Sequence, residues 1–384
     1  MGLGHKRRNL LIAQTLGASS LAADILMISG MRDATPASTP PGVDCLTLPA
    51  LAKGIDGQYQ SRRLDITLKE IVALRSQVIR TTIAAFKPDV LIVDNVPRGA
   101  VQELDPTLED LRRNGKTRCI LGLRDVLDTA SAVQRDWERA ANQEAIRDYY
   151  DAVWVYGDPT IYDMTQEYEF VPETIAKMHY MGYLDQRQRL KFVDNASVQS
   201  LKAANLPASQ IVLGLVGGGQ DGERLAEAFI QADLPPEMHG VLLTGPFMPA
   251  RVRQRLQQQA AKRSNLMIVN YLAEPALLLN RADRIIAMGG YNTTCEILSF
   301  QKRALIVPRI QPRQEQQIRA ERLQQLGLVD MLLPDQVSPQ ALTAWLAQAD
   351  DPPLVRDRVD LHGLTRIPQF LAALLNAQTQ QHAS

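Results

Sequence analysis

The 384-residue sequence predicts an α/β protein made of two units, each a parallel sheet covered by helices. Three observations lead there. Short β-rich apolar runs alternate with helical periods along the chain, a polar stretch divides this alternation into two blocks, and glycine-rich turns follow two of the runs. The length suits two or three domains, and the 45% hydrophobic and 22% charged residues fall in the globular range.

In the first block the expected strands are 25–28, 90–93, 119–123, 153–156 and 177–181. A helix over 66–86 fits between the first two, with Leu68, Ile71, Val72, Leu74, Val78 and Ile79 on its apolar positions and a stop at Lys87-Pro88. The basic residues Lys6, Arg7 and Arg8 followed by residues 10–23 invite a signal-peptide reading. Gln14, Thr15 and Gly17 break that apolar core, while Leu10, Leu11, Ala13 and Leu16 form a helix face, so a helix beginning near Lys6 is the better expectation. Residues 31–63, with Pro36, Pro40, Pro41 and Pro49, show no convincing period and are expected to be a long loop. The second block repeats the scheme with strands at 211–216, 240–244, 266–269, 284–287 and 304–307, and a helix over 223–230. The polar residues 185–209, with Pro207, are expected to link the blocks. A short helix at 370–375 precedes a Gln/Ala-rich end, from Ala377, expected to fray.

Forty-two Lys and Arg balance 42 Asp and Glu, which removes the cation surplus that nucleic-acid binding draws on. Cys45, Cys119 and Cys295 are too few and too far apart for a disulfide framework or a Cys-x-x-Cys metal site, so a reducing, cytoplasmic setting and no metal are expected. No run approaches the ~18 apolar residues of a membrane-spanning helix.

Three constellations carry chemistry. Gly2-Leu3-Gly4-His5 leads into a helix and puts a histidine, whose ordinary pKa lies near neutrality, at its mouth. Gly217, Gly218 and Gly219 lie between a strand and a helix. With Gly222 they spell a dinucleotide fingerprint, yet the next strand ends at Thr244-Gly245 without the acid that would hold a nicotinamide ribose, so a phosphate-approaching loop or a glycine turn made for tight packing remains. The third is Gly289-Gly290-Tyr291-Asn292-Thr293-Thr294 with Glu296. The glycine pair feeds a helix that Asn292, Thr293 and Thr294 can cap, its positive end toward a diphosphate; the Glu296 carboxylate either accepts from both hydroxyls of a ribose or is an ordinary first-turn glutamate favoured by the helix dipole.

Together with Pro308, Arg313, Glu315 and Gln316, these motifs resemble those of GT-B glycosyltransferases. They are most similar to the predicted glycosyltransferases related to the N-acetylglucosaminyltransferase of peptidoglycan lipid-intermediate synthesis, over Gly2 to about Pro334. The resemblance implies two Rossmann-like domains facing across a cleft: an acceptor domain over 1–185, a linker over 186–209, a nucleotide-sugar domain over 210–366, and a C-terminal helix and tail over 367–384 packing back on the first domain. It also implies a central first strand ahead of Gly2.

Carried onto this chain, the resemblance makes His5 the general base, with Asp94 and Asp125 as candidate orienting acids. Gly217, Gly218, Gly219, Gly289, Gly290, Asn292 and Thr293 face the diphosphate, Glu296 takes the ribose, and Arg313, Glu315 and Gln316 contact the donor's sugar or nucleotide. The implied reaction is inverting and metal-independent, with a nucleotide-diphosphate sugar as co-substrate, a lipid-linked or small-molecule acceptor, and no further cofactor. A nucleotide-sugar 2-epimerase or hydrolase, or a non-catalytic sugar-nucleotide-binding protein, are the alternatives on the same scaffold. Lys6, Arg7 and Arg8 read either as a contact to anionic lipid headgroups at the inner face of a membrane or as a solvated helix face.

Overall fold

A computed structural model describes residues 3–31, 42–53, 59–349 and 351–383. The chain divides into two compact units, one formed by residues 1–159, 163–183 and 362–384, the other by 160–162 and 184–361.

The first unit opens with a helix, Leu3–Gly17, whose Leu10, Leu11, Ile12, Ala13 and Leu16 are buried. Strands β1 (Ile25–Ser29) and β2 (Val43–Thr47) pair in parallel as a sheet of two, and β3 (Leu51–Lys53) and β4 (Tyr59–Ser61) form an antiparallel pair. Strands β5 (Val90–Asp94), β6 (Arg118–Arg124), β7 (Ala152–Tyr156) and β8 (Met178–Tyr180) make a second parallel sheet in that order. Burial follows strand position. All five residues of central β7 are buried, whereas all five of β1 are only half-buried. The helix Leu68–Phe86 begins two residues later than the apolar period alone suggests, because Thr67 and Glu70 form a capping box: each side chain accepts from the other's backbone N–H. It ends at Lys87, in the left-handed region ahead of Pro88.

Two expectations for this unit are corrected. Within 31–63 the structure finds β2, β3 and β4; the first is a short half-exposed strand whose Asp44 breaks the apolar run, and the others span three residues each, too short to set a period. Residues 32–41 and 54–58, with Pro36, Pro40 and Pro41, lie outside the described residues. The C-terminal helix runs over Gly363–Ala383, continuous through the stretch read as frayed, and Phe370 packs edge-on against the buried Trp154 at 5.7 Å.

In the second unit, β9 (Gln210–Leu215), β10 (Met238–Leu243), β11 (Leu266–Val269), β12 (Arg284–Ala287), β13 (Arg303–Ile306) and β14 (Asp330–Met331) form one parallel sheet in the order β11-β10-β9-β12-β13-β14. Val212, Leu242, Ile286 and Leu305 pack with Phe229, Val252, Leu256 and Trp345 of the covering helices. The chain winds outward from β9 to β11 and then returns to β12 on the other side of β9. Such a reversal leaves a crevice at the C-terminal ends of the two central strands. Residues 186–209 are structured rather than a bare linker, carrying a 3-10 segment, Gln186–Phe192, and a helix, Asn195–Ala203, both within this unit.

The loop after β9 meets the loop after β10 backbone to backbone. Gly219 has φ +89° and a Cβ there would stand 2.2 Å from the Thr244 carbonyl oxygen; a Cβ on Gly245, at φ +79°, would stand 2.5 Å from the Gly217 oxygen. Gly219→Ala is therefore expected to destabilise the second unit by about 2–3 kcal/mol, the cost of a strained backbone with a clash that cannot relax through a side chain. A denaturant midpoint equal to that of the parent would contradict this.

Candidate functional site

In the first unit the catalytic candidates meet at the C-terminal end of β5. The opening helix begins at Leu3 rather than near Lys6, so His5 sits in its first turn. His5 Nδ1 lies 2.8 Å from Asp94 Oδ2, on the last residue of β5. Arg8, one turn further along the helix, donates through Nη2 to Asp94 Oδ1, and Asn9 Nδ2 donates to Oδ2 at 3.2 Å. Burial by itself would raise the Asp94 carboxyl. The Arg8 guanidinium and then the His5 hydrogen bond outweigh it, holding the group well below the usual carboxylate range.

His5 Nδ1 faces both the Asp94 carboxylate, which only accepts, and Arg8 Nη2 at 3.2 Å, which only donates; the shorter contact to the carboxylate places the proton of neutral His5 on Nδ1 and leaves Nε2 as an acceptor. The His5 side chain is 42% exposed. Asp125, the other acid considered, is buried and accepts instead from the Tyr183 hydroxyl and the Val126 N–H, both at 2.8 Å. The three-cation cluster is also corrected. Arg8 is buried on Asp94 and over the Tyr156 ring, and Lys6 and Arg7 are half-buried, with burial lowering the Lys6 ammonium below its ordinary range.

In the second unit the glycine motifs fall at the strand-order reversal. Gly217, Gly218 and Gly219 follow β9, and Gly289 and Gly290 follow its neighbour β12. Their roles differ. Gly219 is required by packing, as is Gly222, where a Cβ would approach that of Val216 to 2.3 Å, and Gly218 lies against the Phe247 ring. Gly217 has φ +59°, which favours glycine, with open space around it. Gly290 has an ordinary φ of −58° and nothing within 4 Å of a would-be Cβ. Among the described residues no neighbouring atom requires glycine at 290.

The helix Tyr291–Ser299 starts at Gly290 with no side-chain cap, which corrects the expectation that Asn292, Thr293 and Thr294 cap it. Thr294 Oγ1 turns back to the Gly289 carbonyl at 3.3 Å. Glu296 lies in this helix and is 2% exposed, so its carboxylate is held inside the fold rather than on the surface. Glu315 and Gln316 open the helix Glu315–Gln325, after β13. Arg313 is exposed, while Arg309, which the motif reading passed over, turns inward onto the glycine loop through Asp221. Its signal in the sequence was only a cation next to Pro308, and spacing alone does not reveal its pairing with Asp221.

Among the described residues no three His, Cys, Asp or Glu side chains gather as a metal set, and no helix is long and apolar enough to cross a membrane.

Residues 213–359 match the family described as the glycosyltransferase family 28 C-terminal domain. Among solved structures, the chain is similar to the MurG of Acinetobacter baumannii, at 14% identity over 96% of each chain with a TM-score of 0.56. A glycosyltransferase of kitacinnamycin is 16% identical over 91% of this chain and 98% of the other, with a TM-score of 0.54. The UDP-GlcNAc 2-epimerase from Neisseria meningitidis, bound to UDP-GlcNAc, is 13% identical over 91% and 99%, with a TM-score of 0.58. No curated protein matches the sequence. The architecture shared with these structures is the GT-B fold, two Rossmann-like domains.

Proposed function

We propose that this GT-B protein, whose residues 213–359 match the glycosyltransferase family 28 C-terminal domain, moves a sugar from a nucleotide-diphosphate donor to an acceptor hydroxyl, with inversion at the anomeric carbon. The observation that carries the donor assignment is Gly290. It stands at the reversal of strand order, beside the uncapped start of a nine-residue helix, and no packing reason forbids a side chain there. The diphosphate occupies that space, its charge met by the first-turn N–H groups and the helix dipole, with Arg313 adding a cation on the exposed side.

In the proposed reaction His5 Nε2 removes the acceptor's proton as the oxygen attacks the anomeric carbon, and the nucleoside diphosphate departs with the bonding pair. The imidazolium so formed is stabilised by Asp94, already ionised, at 2.8 Å. The His5–Asp94 pairing and the family 28 match favour transfer over epimerisation on this scaffold.

Gly290→Ala tests the donor site with little structural disturbance. Its stability is expected to stay within about 0.5 kcal/mol of the parent, as for substitutions in open space, while nucleoside diphosphate affinity falls roughly tenfold or more as the methyl enters the ligand's volume. A thermal-shift panel of nucleoside diphosphates and nucleotide sugars reads the affinity. Equal shifts in parent and variant would remove the diphosphate from this loop. Rapid conversion of a nucleotide sugar to its 2-epimer with no acceptor present would replace transfer by epimerisation.

A further inference from the structure

Arg309 joins two loops of the second unit. Its Nη1 donates to Asp221 Oδ2 at 3.2 Å, in the glycine loop after β9, and its Nη2 donates to Glu315 Oε1 at 3.4 Å, at the start of the helix Glu315–Gln325. Its backbone N–H donates to Gln316 Oε1 at 3.0 Å. A backbone N–H can only donate, so the Gln316 carboxamide is held with its oxygen toward Arg309 and its NH2 turned away.

Glu315 is 4% exposed, and its second oxygen, Oε2, is buried with no partner among the described residues. A buried carboxylate oxygen left unpaired is uncommon and calls for a donor. Arg309 thereby fixes two complementary groups on consecutive residues, an acceptor at Glu315 Oε2 and a donor at Gln316 Nε2. A sugar hydroxyl donates once and accepts, so one hydroxyl or an adjacent pair matches this set.

We propose that Arg309 is a positioning residue for the donor's sugar. It orients Glu315 and Gln316 toward the sugar hydroxyls and anchors them to the glycine loop through Asp221; the assignment rests on the donor-site reading above. Arginine suits the task because its planar fork reaches two carboxylates on different segments at once, whereas a lysine ammonium is a point charge. Without that cation, Asp221 and Glu315 lose the group they share, and the Glu315 side chain is free to turn.

The test separates the sugar from the nucleotide. Affinities for UDP, dTDP, GDP and ADP, and for UDP-N-acetylglucosamine, dTDP-glucose, GDP-mannose and ADP-glucose, are measured by calorimetric titration, and the gain in affinity due to the sugar is the readout. Arg309→Met is expected to keep nucleoside diphosphate affinity within about twofold while the sugar's gain drops roughly tenfold, the worth of one to two oriented hydrogen bonds. Arg309→Lys should recover part of that gain. Asp221→Asn, at a more exposed position, should lower it by a smaller factor and carries the test should Arg309→Met fail to fold. An undiminished sugar gain in Arg309→Met, or in Asp221→Asn where that variant carries the test, overturns this assignment alone. Absence of any nucleotide binding by the parent protein overturns the donor-site reading and this assignment with it.

Discussion

Replacing His5 with Ala is expected to lower the turnover of sugar transfer by about 10²–10⁴-fold, the usual contribution of a positioned general base. Donor affinity should change by less than about twofold, because a general base acts on the acceptor's proton in the chemical step. The geometry makes the expectation specific. Asp94 can accept but not donate, so it assigns the imidazole proton to Nδ1 and leaves Nε2 to work on the acceptor. Because Arg8 holds the Asp94 carboxyl well below its usual range, that carboxyl is ionised at every pH at which transfer would be assayed. The Asp94 carboxyl therefore contributes no limb to the pH–rate profile of transfer.

Asp94→Asn should also lower turnover, but by a mixed route. It leaves the buried Arg8 without its counter-charge, which destabilises proteins by about 3–5 kcal/mol when the pair is fully buried and by less at the 17% exposure of Asp94. The two positions act as a unit, so the double variant His5→Ala/Asp94→Asn should turn over no more slowly than His5→Ala once stability is corrected for. Steady-state kinetics with and without an added imidazole base would check this. Undiminished turnover in His5→Ala would exclude His5 as the base.

The second large effect concerns Glu296. Its replacement by Ala is expected to weaken nucleoside diphosphate binding by about 10–100-fold, corresponding to the roughly 1.5–3 kcal/mol of hydrogen bonds to a charged group. Glu296→Gln, which keeps the shape and one acceptor oxygen, should lose about half of that free energy. Burial sharpens the experiment, because a carboxylate 2% exposed in the helix Tyr291–Ser299 has a structural alternative. If Glu296 only stabilises that helix, Ala will lower the denaturant midpoint while the titration isotherm keeps its affinity. If it holds the ribose, affinity falls in Gln as well as Ala, and Gln leaves the midpoint close to the parent's.

How far the sequence revealed this depends on the range of each interaction. Strands β6, β7, β9 and β12 are continuous apolar runs, since parallel strands covered on both faces have no polar side to show, and they are legible as they stand. Strand β2 was not, because Val43–Thr47 is half-exposed and interrupted by Asp44, and β14 is two residues long. The glycine motifs were visible, but which glycines are demanded by packing was not: that depends on Thr244 for Gly219 and on Val216 for Gly222, and open space around Gly290 leaves no trace in the chain. Likewise the pairing of His5 with Asp94 rather than Asp125, the burial of Arg8 in what read as a surface cluster, and the inward turn of Arg309 all rest on partners distant in sequence.

The first unit's strands have a consequence for the protein in concentrated solution. Strand β5 pairs with β6 on one side, and the half-buried β1 pairs with β2 on one side; the opposite edges have no strand partner among the described residues. Their sequences, Ile-Leu-Met-Ile-Ser and Val-Leu-Ile-Val-Asp, are apolar with a single charge between them. Open ladder groups beside apolar side chains are templates for intermolecular strand addition. A lysine or proline placed on the β1 or β5 edge is therefore expected to lower association of this protein in concentrated solution, at positions far from the glycine loops in the sequence.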